Sequence, residues 1–332
     1  MLSKYVFVAT LTLISFSFHI CYSFTITTTS TSIITDISDE ESSILPNFIS
    51  KTQYSGTILM HLRFPLTISL VNNATYENQY EWYMDCISRN HTKKELYIFH
   101  NQWFQQNVQN WTEVLLHGNN LVGHALQNSN SNPIKALEIG SFEGASSVFT
   151  LENIVGKHPD SELYVIDTFQ GSGAEHSHLE EVVSMLLQLY LHNIYVSGHS
   201  SHVRIIQGSS SIQLPKLVNY IRMLKQTSID RGNGNGNGNV SVENCEYFDF
   251  IYIDGSHRAS DVLIDAVHAF QLLRVGGIII FDDYLRVGEL EDEFDQAKRG
   301  VDAFLTYFEP KIEIVRYGYQ LYIRKIESTD IL

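Results

Sequence analysis

Lys135 to Gly144 reads KALEIGSFEG. The run from Ala136 to Ile139 has the apolar character of a short strand buried on both faces, with Glu138 near its end. Gly140 and Gly144 then predict a tight turn, followed by a helix from about Ala145. Glycine serves such a turn in two ways. It accepts the left-handed backbone, and it lets the main chain approach a ligand that a Cβ would push away. The helix N-terminus behind the turn adds N–H groups and partial positive charge.

The spacing E-x-G-x-x-x-G is not the dinucleotide fingerprint G-x-G-x-x-G/A, because Phe142 stands where its second glycine belongs. A purely structural turn can have the same spacing, so the weight comes from the residues downstream of Gly144. Strand patterns recur at Ala136–Ile139, Leu163–Asp167, Val203–Gln207, Phe248–Asp254 and Gly277–Asp282. Helical stretches lie between them, at about 145–157, 179–192, 210–226 and 259–273. The alternation predicts an α/β fold, a doubly wound parallel sheet with right-handed crossovers. Lys311–Arg316 and Gln320–Lys325, around Tyr317-Gly318-Tyr319, predict a hairpin that puts an antiparallel strand at one edge.

In open parallel sheets ligands bind beyond the carboxyl ends of the strands. The residues expected there are Glu138, Gly140, Ser141 and Gly144 after the first strand, and Asp167 and Thr168 after the second. Gly208 and Ser209 follow the third, Asp254 and His257 the fourth, and Asp282 and Asp283 the fifth. Asp167 lies 23 residues after Gly144, a spacing that suits an acid accepting hydrogen bonds from a ribose diol. Five acids on one rim repel one another, and a cation removes that penalty. Asp254, Asp282 and Asp283 offer the hard oxygen ligands that Mg²⁺ or a similar divalent ion takes. The alternative is that Asp254 and Asp282 only cap the next loop or helix. His257 is a candidate general base, or else a cap or packing residue. His176 and His178, in the segment GSGAEHSH, are solvated loop residues or substrate contacts.

The 332 residues carry a formal charge of −15, which disfavours a nucleic-acid partner held by phosphate contacts. Three cysteines, Cys21, Cys86 and Cys245, make neither a disulfide framework nor a zinc spacing. Residues 1–23 have one charge, Lys4, and an apolar run over residues 5–21. They read as a secretory signal peptide or a retained membrane anchor. Sequons at Asn73, Asn90, Asn110 and Asn239 agree with a lumenal, secreted or membrane-anchored chain. Residues 24–47 read as an exposed spacer and 48–130 as an aromatic-rich cap region, with residues 131–327 as the main domain. Within the cap, Trp111 to Leu116 predicts a short helix. Asn110 is its N-cap, and Trp111, Val114 and Leu115 share one face. The run GNGNGNGNV at 232–240 is a low-complexity surface insertion.

ALEIGSFEG, YVIDTFQG, FDFIYIDGSHRASDVLIDA and RVGGIIIFDDY together resemble the class I S-adenosylmethionine-dependent methyltransferases. The resemblance is closest to the group related to macrolide and aminocoumarin sugar O-methyltransferases, and it covers roughly Trp103 to Lys325. It implies a Rossmann-like seven-stranded sheet with its last strand antiparallel. Glu138, Gly140 and Gly144 would line the methionine end of S-adenosylmethionine, Asp167 would hold the ribose, and Gly208 with Ser209 would flank the adenine. Many relatives have an acid where Ser209 and Ser210 stand here. Metal-dependent relatives have acids matching Asp254, Asp282 and Asp283. The implied reaction is divalent-metal-dependent O-methylation of a small-molecule or sugar hydroxyl, with Asp254 or His257 taking the proton. Two other readings stand beside it: a methyltransferase-fold protein that only binds, and a nicotinamide oxidoreductase. Against the latter, the Tyr307–Lys311 pair spans Pro310, which breaks the helix such a dyad needs.

Overall fold

In the computed structural model the described residues are 45, 46, 48, 68–70, 74–76, 96–101, 103–116, 132–171, 180–232, 245–286 and 296–329. The expected signal or anchor, most of the spacer, Cys86, His176, His178 and the glycine–asparagine run lie outside them. Among the described residues no helix is long and apolar enough to cross a membrane. The chain divides into two units, residues 1–38 with 50–96, and residues 39–49 with 97–332. The boundary expected at 131 therefore falls within the second unit. In the first unit, β1 (Ile68–Leu70) and β2 (Ala74–Tyr76) form a small antiparallel pair.

The second unit opens with a 3₁₀ turn, Trp103–Asn107, then α1 (Val108–Trp111), then a π-helical turn, Thr112–Leu116. Helix is found where the pattern predicts it, and Trp111, Val114 and Leu115 face inward. Asn110 is not its cap, because it lies inside α1.

The sheet strands are β3 (Lys135–Ile139), β4 (Glu162–Asp167), β5 (Val203–Gln207), β6 (Phe248–Ile253), β7 (Leu273–Phe281), β8 (Ile312–Arg316) and β9 (Leu321–Lys325). The helices are α2 (Ala145–Asn153), α3 (Glu180–Val183), α4 (Leu186–Ser197), α5 (Ser210–Gly232), α6 (Ala259–Leu272) and α7 (Ala297–Phe308). The seven strands run in the order β5-β4-β3-β6-β7-β9-β8, with β3 to β7 parallel to one another. Such strands are buried on both faces, which is why they read as continuous apolar runs. β9 is antiparallel to both β7 and β8. The hairpin forms as expected, but its antiparallel member is inserted next to β7 and the edge is left to β8. Burial decides this arrangement: Leu321, Tyr322 and Ile323 are fully covered, whereas Glu313 and Ile314 of β8 are exposed.

Strand order reverses between β3 and β6, the point at which loops diverge and leave a crevice. Helix α7 was not anticipated from the sequence. It packs Phe304 and Phe308 against Phe270 of α6 and seals that face of the sheet.

Candidate active site

The sheet hydrogen bonding continues one residue past each strand end. Gly140 N–H donates to Ile166 C=O, Gly208 N–H to Asp167 C=O, Asp254 N–H to Ile139 C=O and Asp282 N–H to Ile253 C=O. These bonds fix the rim residues in register at the reversal point.

Gly140 has φ +80°, and a Cβ there would collide with the carbonyl of Asp254. Gly144, at φ +86°, has the ring of Tyr190 against it, 2.9 Å from where a Cβ would be. Phe142 and Phe169 adopt the left-handed conformation without being glycine, at φ 48° and 55°. Backbone of this kind is held only where the surroundings fix it. Asp167 does much of the fixing. Its Oδ2 accepts from Ser141 N–H (2.6 Å), Ser141 Oγ–H (2.9 Å) and Phe142 N–H (3.0 Å), and its Oδ1 accepts from Phe169 N–H (2.7 Å). Oδ1 keeps acceptor capacity for one further donor.

Glu138 is buried beneath the first turn of α2, where both Ser146 and Ser147 hydroxyls donate to it. Burial pushes its carboxyl up to about 7 against the pull of those two serines. It therefore supports the helix start under the glycine turn. Thr168 Oγ1 accepts Gln170 N–H, Ser209 Oγ pairs with Ser211 Oγ, and Gly208 (φ +141°) has Gln213 behind it.

Three residues that sequence patterns did not single out complete the turn. Glu143 is buried and accepts from the backbone N–H of His100 (2.9 Å), and its side chain also meets the His100 ring. Asn193 of α4 accepts Ile98 N–H and donates to both Ile98 C=O and Glu143 C=O, each at 2.8 Å. The segment around Ile98 is thereby tied to the glycine turn, and Trp103 rests on Phe142 with ring centroids 5.3 Å apart. Polar residues in an otherwise apolar helix such as α4 were the available signal.

The acid cluster divides in two. Tyr252 pairs with Ile280, and Phe281 with Leu321. Continuing those registers sets Asp254, Asp282 and Gln320 side by side across three strands. Tyr252 Oη lies 2.9 Å from Asp254 Oδ2 and 2.9 Å from Asp282 Oδ2. Burial, with repulsion from Asp282 and Asp283, holds the Asp254 carboxyl well above the usual range, and burial with repulsion from Asp283 raises that of Asp282.

Asp283 is not part of that pair. Successive residues at a strand end point to opposite sides, and Asp283 is left-handed at φ 54°. Its Oδ2 meets His257 Nε2 (2.9 Å) and Arg286 Nη1 (3.1 Å), while Tyr319 Oη–H donates to Oδ1. Burial alone would raise its pKa, but these partners hold it below the usual carboxylate value. The expected metal trio is corrected accordingly: among the described residues, no group of three His, Cys, Asp or Glu side chains is placed to hold a metal ion.

His257 is engaged at both ring nitrogens. Arg286 Nη1 lies 2.6 Å from its Nδ1, and a guanidinium only donates. Nδ1 is therefore the acceptor, and Nε2 carries the proton given to Asp283. With both nitrogens engaged, the ring serves as a brace between Asp283 and Arg286.

The residues at the rim fit the two groups the resemblance implies. At Gly140, Gly144 and Gly208 a Cβ would strike Asp254, Tyr190 and Gln213, so close packing of the chain itself requires glycine there, and the acceptor capacity left on Asp167 Oδ1 is what fits a ribose hydroxyl. The paired carboxylates of Asp254 and Asp282 are an all-oxygen donor set, and Mg²⁺ commonly takes one or two carboxylates with waters completing its shell.

The parallel strands, the reversal between β3 and β6 and the antiparallel β9 define a Rossmann-like α/β fold. A family model described as a methyltransferase domain matches residues 137–284, and it bears out the resemblance carried by the motifs. No curated protein matches the chain. Among solved structures, the O-methyltransferase TomG from Streptomyces achromogenes is 13% identical, with 69% of this chain and 100% of that one covered, at a TM-score of 0.37. The O-methyltransferase NovP is 16% identical over 62% of this chain and 78% of its own, at 0.38. MycE, a methyltransferase of the mycinamycin biosynthetic pathway, is 14% identical over 75% of this chain and 54% of its own, at 0.37.

Proposed function

We propose that the chain is an S-adenosylmethionine-dependent O-methyltransferase acting on a small-molecule or sugar hydroxyl, with a divalent cation held by Asp254 and Asp282. One observation carries this reading. The glycine turn and the buried acid pair are adjacent at the strand reversal, so close that a Cβ on Gly140 would strike the Asp254 carbonyl. A sulfonium donor and a hydroxyl acceptor bound on either side of that point would meet in line. Such alignment supplies much of the acceleration in group transfer.

When bound, S-adenosylmethionine supplies an electrophilic methyl group, and a divalent cation lowers the pKa of an acceptor hydroxyl. The chain's own residues do the rest. Oδ1 of Asp167 takes a hydrogen bond from a ribose hydroxyl while its Oδ2 keeps the turn closed. The Gly140–Gly144 backbone would line the methionine portion. Asp254 would accept the proton leaving the acceptor oxygen as the new O–CH₃ bond forms and the S–CH₃ bond breaks. The negative rim attracts the cationic sulfonium and releases the uncharged thioether product.

Calorimetric titration of S-adenosylmethionine into the protein, with and without Mg²⁺, tests the cofactor, and labelled methyl transfer to a panel of hydroxyl acceptors tests the reaction. Micromolar binding that Asp167→Ala abolishes supports the reading. No binding in either condition refutes it.

A further inference from the structure

We propose that Gln320 is a positioning residue for Asp282 and that Trp111 fixes the way Gln320 faces. The proposal rests on the reading of Asp254 and Asp282 as the cation-holding pair. It extends the site to a residue of the helical segment preceding the sheet.

Gln320 is buried just before β9, at the register position opposite Asp282. A buried amide can face either way unless its partners choose for it. Here they do. Its Oε1 lies 2.9 Å from Trp111 Nε1 and 2.6 Å from Tyr322 Oη. An indole N–H can only donate, so that side of the amide is the carbonyl oxygen. The NH₂ group must then point at Asp282, and Nε2 donates to Oδ1 at 2.8 Å. Tyr252, whose one hydroxyl proton is shared between Asp254 and Asp282, lies 2.9 Å from Oδ2, so each oxygen of Asp282 faces a neutral partner and its plane is set.

Trp111 is itself immobilised. It is fully buried, with the rings of Phe104, Phe149, Phe250 and Tyr252 against it at centroid distances of 4.8 to 5.7 Å. Trp111 and Gln320 are 209 residues apart in sequence, so the contact exists only in the folded domain. A carboxylate that ligates a cation binds better when its orientation is already set by neighbouring hydrogen bonds. The simpler alternative is that Gln320 does no more than satisfy a buried indole and a phenol.

The test is Mn²⁺ affinity, by calorimetry, of the full chain and of Gln320→Met, Trp111→Phe and the double variant, with S-adenosylmethionine affinity measured on each. Methionine keeps the length of glutamine and removes both hydrogen-bonding functions. The expected result is a loss of Mn²⁺ affinity of about tenfold to a hundredfold in Gln320→Met, with S-adenosylmethionine binding unchanged. Trp111→Phe should lose less, since Tyr322 still holds Oε1, and should lose nothing further once Gln320 is methionine. That non-additivity separates a relay from two independent packing defects. If Gln320→Met does not fold, Trp111→Phe with Tyr322→Phe carries the test, because it keeps the glutamine and removes both groups that orient it. Unchanged Mn²⁺ affinity in these variants, additive losses, or a wild-type protein that binds S-adenosylmethionine but no Mn²⁺ would overturn the proposal. A wild-type protein that binds no S-adenosylmethionine would instead defeat the methyltransferase reading.

Discussion

The carboxylate of Asp167, at the end of β4, closes onto the main chain of Ser141 across the strand pair, 2.6 Å from its N–H. One residue thus shapes the glycine turn and offers an acceptor to a ligand. Asp167→Ala should destabilise the domain by about 2 kcal/mol or more, since it strands three N–H or O–H groups on the turn. It should also weaken S-adenosylmethionine binding by at least about tenfold, the worth of one charge-assisted hydrogen bond. Asp167→Asn should recover part of the stability and little of the affinity. Denaturant unfolding and calorimetry on the same variants separate the two losses.

Gly140→Ala is expected to cost about 3 kcal/mol or more. It combines a disfavoured positive φ with a clash against the backbone of Asp254, which has no room to move. Ser141→Ala, one residue on, removes a single hydroxyl and should cost about 1 kcal/mol. A similar midpoint for the two variants in urea would count against the described turn.

Asp265 of α6 is buried. Its Oδ2 accepts from Ser210 Oγ, and its Oδ1 has no hydrogen-bond partner among the described residues. Burial pushes its carboxyl from the ordinary 3.8 to about 7. The folded state therefore holds this proton more tightly than the unfolded state. The resulting stabilisation is fully present below the unfolded pKa and is lost as pH rises through about 7. Asp265→Asn, which has no proton to lose, should show a smaller fall in stability between pH 4 and pH 8 than the parent. Parallel melting curves across that range would show that the assignment is wrong.

Asn193 ties Ile98 to Glu143 with three hydrogen bonds. Asn193→Leu should raise amide hydrogen exchange at Ile98 while leaving β3 and β6 protected. It should cost about 2 kcal/mol through unsatisfied buried backbone groups. Exchange unchanged at Ile98 would show that the segment is held by packing alone.

The sheet was legible because parallel strands buried on both faces are continuous apolar runs, and their ends name the rim. Glu138, Asp167, Asp254 and Asp282 could be picked out on that basis. What each side chain does there was less accessible, because it depends on partners distant in sequence: Ser146 and Ser147 for Glu138, and Tyr252 and Gln320 for Asp282. Asp283 looked equivalent to Asp282 because the two are adjacent. Adjacency at a strand end sends side chains apart, so the doublet was better evidence for one acid at the pair than for two. Helix α7 was not picked out, although Pro310 just past its end is an ordinary stop signal. Its amphipathic face, with Val301 and Phe304 buried, precedes that proline.

The antiparallel insertion of β9 has a bearing on how this domain can diversify. The Gly140–Gly144 turn runs directly from β3 into α2, so a change in its length disturbs the core. Tyr317, Gly318 and Tyr319 form a hairpin tip instead, joining β8 to β9 and sharing the rim with Asp283 through Tyr319. A tip of that kind tolerates exchange and insertion. Replacing the tip should change the surroundings of Asp283 while the Gly140–Gly144 turn and the strand register stay intact.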